Sequence, residues 1–175
     1  MPQYLTTIAS ILVLLAIAAT FFFFYMRSLA AETDAYWVLL LAKLRHRLDK
    51  IPNLIETVRP FAPSEEKAIQ DLIKLRDLSW EMEKSSHHFV QNQLNISNSL
   101  HDLWAFGGKF PALHKDTNFL ALKMEFKQLN EEIEVLLERH NASVRHYNKQ
   151  LSFVVFLPLV AVFRLKKEKI FEFEA

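Results

Sequence analysis

The chain has 175 residues, is 51% hydrophobic, and carries 21 lysines and arginines against 20 acidic residues, for a net charge of +1. That balance supplies no clustered basic surface, so nucleic acid is not an expected partner. Cysteine is absent, which excludes disulfides, thiolate catalysis and cysteine-ligated zinc, and the only glycines are the adjacent Gly107 and Gly108, so helices must be long and turns few.

No charged residue occurs from Tyr4 to Met26, a run that ends in Phe21-Phe22-Phe23-Phe24-Tyr25. It exceeds the ~20 residues a helix needs to cross a bilayer. Ser28-Leu29-Ala30 has the small-x-small form of a signal-peptide cleavage site, the competing reading. A signal peptide, however, has a basic leader and a shorter apolar core, and here the leader has neither lysine nor arginine. Residues 1–27 are therefore expected to be a retained transmembrane anchor. Arg27, Lys43, Arg45 and Arg47 follow the run and no basic residue precedes it, so the N-terminus is expected outside and the following domain in the cytoplasm.

Residues 28–152 read as a helical bundle. Between Gln3 and Ile51 there is neither glycine nor proline, so the membrane helix is expected to continue into the bundle. Its apolar seam runs Trp37, Leu41, Leu44, Leu48, Ile51, Ile55, Val58, Ala62, alternating steps of four and three. The register passes unbroken through Pro52, which predicts a kink rather than a turn; Pro60 and Pro63 end the helix. Ser64 is the expected N-cap of a second helix, with Glu65 and Glu66 at its positive end. Its stripe runs from Ala68 through Leu72, Leu75, Ser79, Met82, Ser86, Phe89, Gln93 and Ile96 to Leu103, with small or polar residues at three layers. Ala105–Lys115 is the clearest loop. Asp116 or Thr117 caps a third helix, whose stripe runs from Phe119 through Phe126, Ile133 and His140 to Tyr147. Residues 153–175 remain: an apolar segment, Phe153 to Phe163 interrupted by Pro158, and a charged tail.

Two blocks in these helices resemble the LemA family. Arg47-Leu48-Asp49-Lys50-Ile51-Pro52-Asn53-Leu54-Ile55-Glu56-Thr57-Val58-Arg59 is similar to that family's arginine, aspartate, "IPNLVETV", basic signature, and Ala62 and Glu65 continue it. Phe110-Pro111-x-Leu113, Asn118-Phe119-x-x-Leu122, Glu131-x-Ile133, Asn141, Val144 and Tyr147-Asn148 match a second, looser block. The chain departs from the family pattern at Pro60 for a glycine, Ser64 for a histidine, Leu136-Leu137 for an Ala-Arg pair and His140 for a tyrosine. The resemblance implies an all-α, four-helix up-and-down bundle behind an anchor whose N-terminus lies outside. The stripes give three long antiparallel helices, so the fourth is either the C-terminal segment or a piece split at Pro52. Relatives are linked to envelope stress, to genes for membrane-bound metalloproteases and to the building of magnetosome membranes, links that carry over no catalytic residue.

A di-iron bundle would need Glu-x-x-His on two helices; neither that spacing nor His-Glu-x-x-His occurs. Glu83 and His87, four apart with His88 beside them, read as a solvated patch rather than a ligand face. His140, on the third stripe, reads as a hydrogen-bonded core histidine. Asn53 is expected to help satisfy the Leu48 carbonyl freed by Pro52, the alternative being a recognition notch at the bend. Arg47 and Asp49 are expected to pair with charges on a neighbouring helix. No catalytic, cofactor-binding or metal-binding residue and no cofactor is expected. Three roles compete: a non-enzymatic scaffold assembling at the bacterial inner membrane, an adaptor or regulator of another membrane protein such as a metalloprotease, and a metal enzyme of the bundle core. The expected partners are the bilayer and further copies of the chain, or another membrane protein. The C-terminal segment carries the choice. Three helix passes would leave it far from the lipid, too short to span, and either folded on its own bundle, docked on another copy, or returned to the membrane through Lys166-Lys167-Glu168-Lys169.

Overall fold

A computed structural model of the chain describes residues 2–61, 66–82, 87–107, 109–153 and 156–171. The expectations at Ala62, Pro63, Ser64, Glu65, Glu83, Ser86, Gly108 and Val155 lie outside them. The elements are α1 (Pro2–Val58), α2 (Glu66–Glu81), α3 (His87–Gly107), the short α4 (Pro111–His114), α5 (Thr117–Leu151) and α6 (Leu157–Val162), with no strand among the described residues. Two compact units form: an anchor unit, Met1–Trp37 with Glu138–Ile170, and a bundle unit, Val38–Leu137 with Phe171–Ala175.

In the bundle unit, α1 passes Pro52 without interruption, as its seam predicts, and stops at Val58. Pro60 follows, and the Phe61 amide returns to the Val58 carbonyl at 3.0 Å. The seam from Leu44 to Val58 is buried. So is a second column, Leu40, Arg47 and Leu54, seven residues apart, which broadens the buried face of the helix. Where a loop was expected over Ala105–Lys115, α3 runs on to Gly107 and α4 occupies Pro111–His114. At the start of α5 the Asp116 carboxylate accepts from the Phe119 amide at 2.8 Å, the expected cap. Trp104 then packs against Phe119 and Phe126, with ring centroids 5.4 and 5.5 Å away.

The second stripe is two helices, not one. Asn92 on α3 donates to the Leu75 carbonyl and to Ser79 Oγ on α2, so the pair form an antiparallel hairpin across residues 82–87. The stripe hid the reversal because Ser79, Met82, Ser86 and Phe89 keep three- and four-residue steps across it. The extra pass is the fourth helix, in place of the C-terminal segment or a piece split at Pro52. It also sets the direction of α5, which runs antiparallel to α1: Asn118 donates to Thr57 Oγ1, and Lys50 and Lys43 pair with Glu125 and Glu132, each at 2.6 Å. The bundle is thus up-down-up-down.

The anchor unit begins with the only stretch among the described residues long and apolar enough to cross a membrane. Residues 3–18 are exposed on every side although mostly apolar, a surface that suits lipid and not water. Farther along α1, α5 is again antiparallel to it: His140 Nδ1 lies 3.3 Å from the Thr33 carbonyl, and the Tyr25 hydroxyl 3.3 Å from His146 Nε2.

Candidate functional site

At the centre of the bundle unit Arg47 is 2% exposed. Its guanidinium donates to Gln93 Oε1 at 2.8 Å, to the Gln93 carbonyl at 3.2 Å, to Ser97 Oγ at 2.9 Å and to Asn130 Oδ1 at 3.4 Å. Gln93 and Asn92 both donate to Ser79 Oγ, which itself bonds the Leu75 carbonyl. One polar layer therefore joins all four helices. The expected charge partner of Arg47 is absent among the described residues; every acceptor is neutral. Burial without a carboxylate makes the charged form expensive, and the guanidinium is pushed down to about 10. Asp49 is exposed, and the charge pairs between α1 and α5 come instead from Lys43 and Lys50. The Lys43 hydrogen bond holds Glu132 below the usual carboxylate range.

The partner of the Leu48 carbonyl is also corrected. Pro52 has no amide proton to give it, and Arg76 Nε on α2 donates instead, at 3.2 Å, while Asn53 is exposed. Nothing in the sequence marks Arg76 for this role, because the contact joins residues 28 apart. The feature that could have shown Arg47 in the core is its place in the Leu40–Leu54 column.

Buried His140 stacks obliquely against Trp37, ring centroids 5.5 Å apart, and desolvation lowers its pKa below 6.5. It is the hydrogen-bonded core histidine the stripe implies. His88 is exposed, and the Glu83 and His87 side chains lie outside the described ones. Among the described residues no three His, Asp or Glu side chains gather as a metal would require.

The C-terminal segment departs most from expectation. It does not emerge away from the anchor but folds onto it. Phe156 stacks on Phe22 at 4.5 Å, Phe163 meets Phe23 at 4.9 Å, and Leu159, Val160 and Leu165 pack with Met26, Tyr147 and Leu151. Leu159 is thus covered by its own chain. Asn148 fastens the chain beyond α6, giving Nδ2–H to the Glu168 carbonyl at 2.8 Å and accepting the Glu168 amide at 2.9 Å. The aromatic run Phe21–Phe24 and the apolar segment were each legible; their meeting depended on the direction of α5.

The fold is that of a helical bundle with an apolar N-terminal helix, and one buried polar layer joins the four helices of the bundle. The model of the LemA family matches residues 36–175, and the chain belongs to that family. No curated protein matches it. The family signature has physical content here: Arg47 centres the polar layer, Pro52 leaves Leu48 to Arg76, Thr57 receives Asn118, and Tyr147-Asn148 holds the C-terminal segment.

Proposed function

We propose that the protein is a non-enzymatic scaffold, anchored in the bacterial inner membrane with its bundle in the cytoplasm, that assembles with copies of itself and organises or shapes that membrane. One observation carries the reading. The bundle's buried polar side chains are engaged with one another across helices, while large apolar side chains stand outward on its long helices: Val38 and Leu39 on α1, Val135 on α5. Such an interior suits a structural element, and such a surface suits self-association.

The test is the size of the full-length protein in detergent, alone and as Val38→Asp with Val135→Asp. A discrete homo-oligomer that the double variant reduces to a monomer, with unchanged helix content, is expected. A monomeric wild type would sink the scaffold and favour the adaptor role.

A further inference from the structure

We infer that residues Leu157–Lys169 form a second membrane contact, laying an apolar face into the edge of the bilayer and a row of cations on anionic headgroups. This rests on the reading of Tyr4–Met26 as a membrane span.

Depth comes first. At 1.5 Å per residue the uncharged run covers about 34 Å, slightly more than the ~30 Å hydrocarbon core, so its last turn lies at the lipid–water boundary. Phe23 opens that turn and Phe22 directly precedes it, and they are the residues on which Phe163 and Phe156 pack. Helix α6 is therefore held at the boundary by the anchor itself.

Chemistry follows from the faces. At 100° per residue, Leu159 and Val160 share one side of α6, and they pack against the anchor cluster. The opposite side is Leu157, Pro158, Ala161 and Val162, all exposed, with Leu157 at 48% and Val162 at 72%. A helix on a water-facing surface would be polar there. This one is apolar on both sides, and the anchor residues it packs on, Phe22 and Phe23, lie between Phe21 and Phe24, which are themselves exposed. The covering that fits an apolar surface at this level is lipid.

Immediately beyond, the chemistry changes sign. Arg164 ends α6 with φ 52, its amide on the Ala161 carbonyl and the Leu165 amide on the Val160 carbonyl, a Schellman stop with arginine where glycine is usual. Exposed Lys166, Lys167 and Lys169 follow, and Asn148 holds the intervening Glu168 by its backbone. Exposed Arg27 is the first charge after the span. Cations just outside an apolar wedge match an anionic leaflet, with lysine stems lying along apolar surface and ammonium groups in the headgroups.

The absence of cysteine permits single-label reporters in the full-length protein. Val162→Cys, with Leu157→Cys as a second reporter, Leu14→Cys as the span control and Glu138→Cys as the aqueous control, are labelled with an environment-sensitive fluorophore. Each is reconstituted in vesicles of mixed zwitterionic and anionic phospholipid, without quencher or with lipid spin-labelled either near the headgroup (shallow) or near the chain end (deep). Emission at positions 14, 157 and 162 should fall by about half, with the shallow quencher favouring 157 and 162, and position 138 should not respond. Glutamine at Lys166, Lys167 and Lys169 should reduce quenching at 162 in anionic vesicles only. Quenching at 14 but at neither 157 nor 162 overturns the inference and leaves the anchor standing. The same holds if unlabelled Val162→Cys forms disulfides between copies and its labelled form stays unquenched. No quenching at 14 overturns the anchor, and the inference with it. Quenching at 162 that ignores both lipid charge and these lysines overturns the assignment to anionic headgroups.

Discussion

Arg47 illustrates how one residue ties the signature to packing. Removing it leaves Gln93 Oε1 without its donor and opens a void in the buried polar layer, so Arg47→Ala should cost about 2–4 kcal/mol. Because its partners are neutral, the layer also carries an uncompensated desolvation cost. Arg47→Met with Gln93→Leu, which replaces polar groups on both sides by apolar ones, should therefore lose less than Arg47→Ala. Chemical unfolding midpoints of the purified protein compare the two; equal losses would mean that the shared loss of the Arg47 hydrogen bonds, and not the orphaned acceptor or the void, sets the cost.

At the scale of the element, Pro52 and Arg76 form a coupled pair. Proline leaves the Leu48 carbonyl without a helical donor, and Arg76 supplies one from the neighbouring helix. Pro52→Ala returns the amide proton and should be neutral or stabilising by about 1 kcal/mol. Arg76→Ala should cost about 1 kcal/mol in the native sequence and less in the Pro52→Ala background, where the carbonyl keeps a partner. A double-mutant cycle on thermal or denaturant midpoints measures that difference. Strict additivity would show that Arg76 acts on α1 by some other route. The same element shows why the place beside Pro52 pointed to Asn53. Asn53 is next in sequence, whereas Arg76 becomes a neighbour only when α2 packs antiparallel on α1.

At the scale of the whole molecule, orientation is the testable consequence of charge. Arg27, Lys43 and Arg45 follow the span, and the folded-back segment adds Arg164, Lys166, Lys167 and Lys169, all on the C-terminal side of the uncharged run. A fusion at Ala175 to a reporter active only in the cytoplasm should give signal, and a periplasmic reporter at the same place should not. The reverse pattern would invert the proposed topology and place the basic segment against the outer leaflet.

The sequence by itself determined the helical class, the uncharged span, the continuity of α1 through Pro52 and the Asp116 cap of α5. All of these rest on local chemistry: periodicity, proline and glycine placement, charge and capping. It also located His140 on a buried stripe. It did not show the reversal between α2 and α3, because a chain that turns back while keeping its three- and four-residue steps leaves the pattern unmarked. That reversal decided the rest. One added helix pass sends α5 back along α1, brings Tyr147 and Asn148 to the end of the anchor, and seats Phe156 and Phe163 on Phe22 and Phe23. The neutral surroundings of Arg47 and the reach of Arg76 have the same origin: each depends on which helices are neighbours, and neighbours distant in sequence are set by tertiary packing.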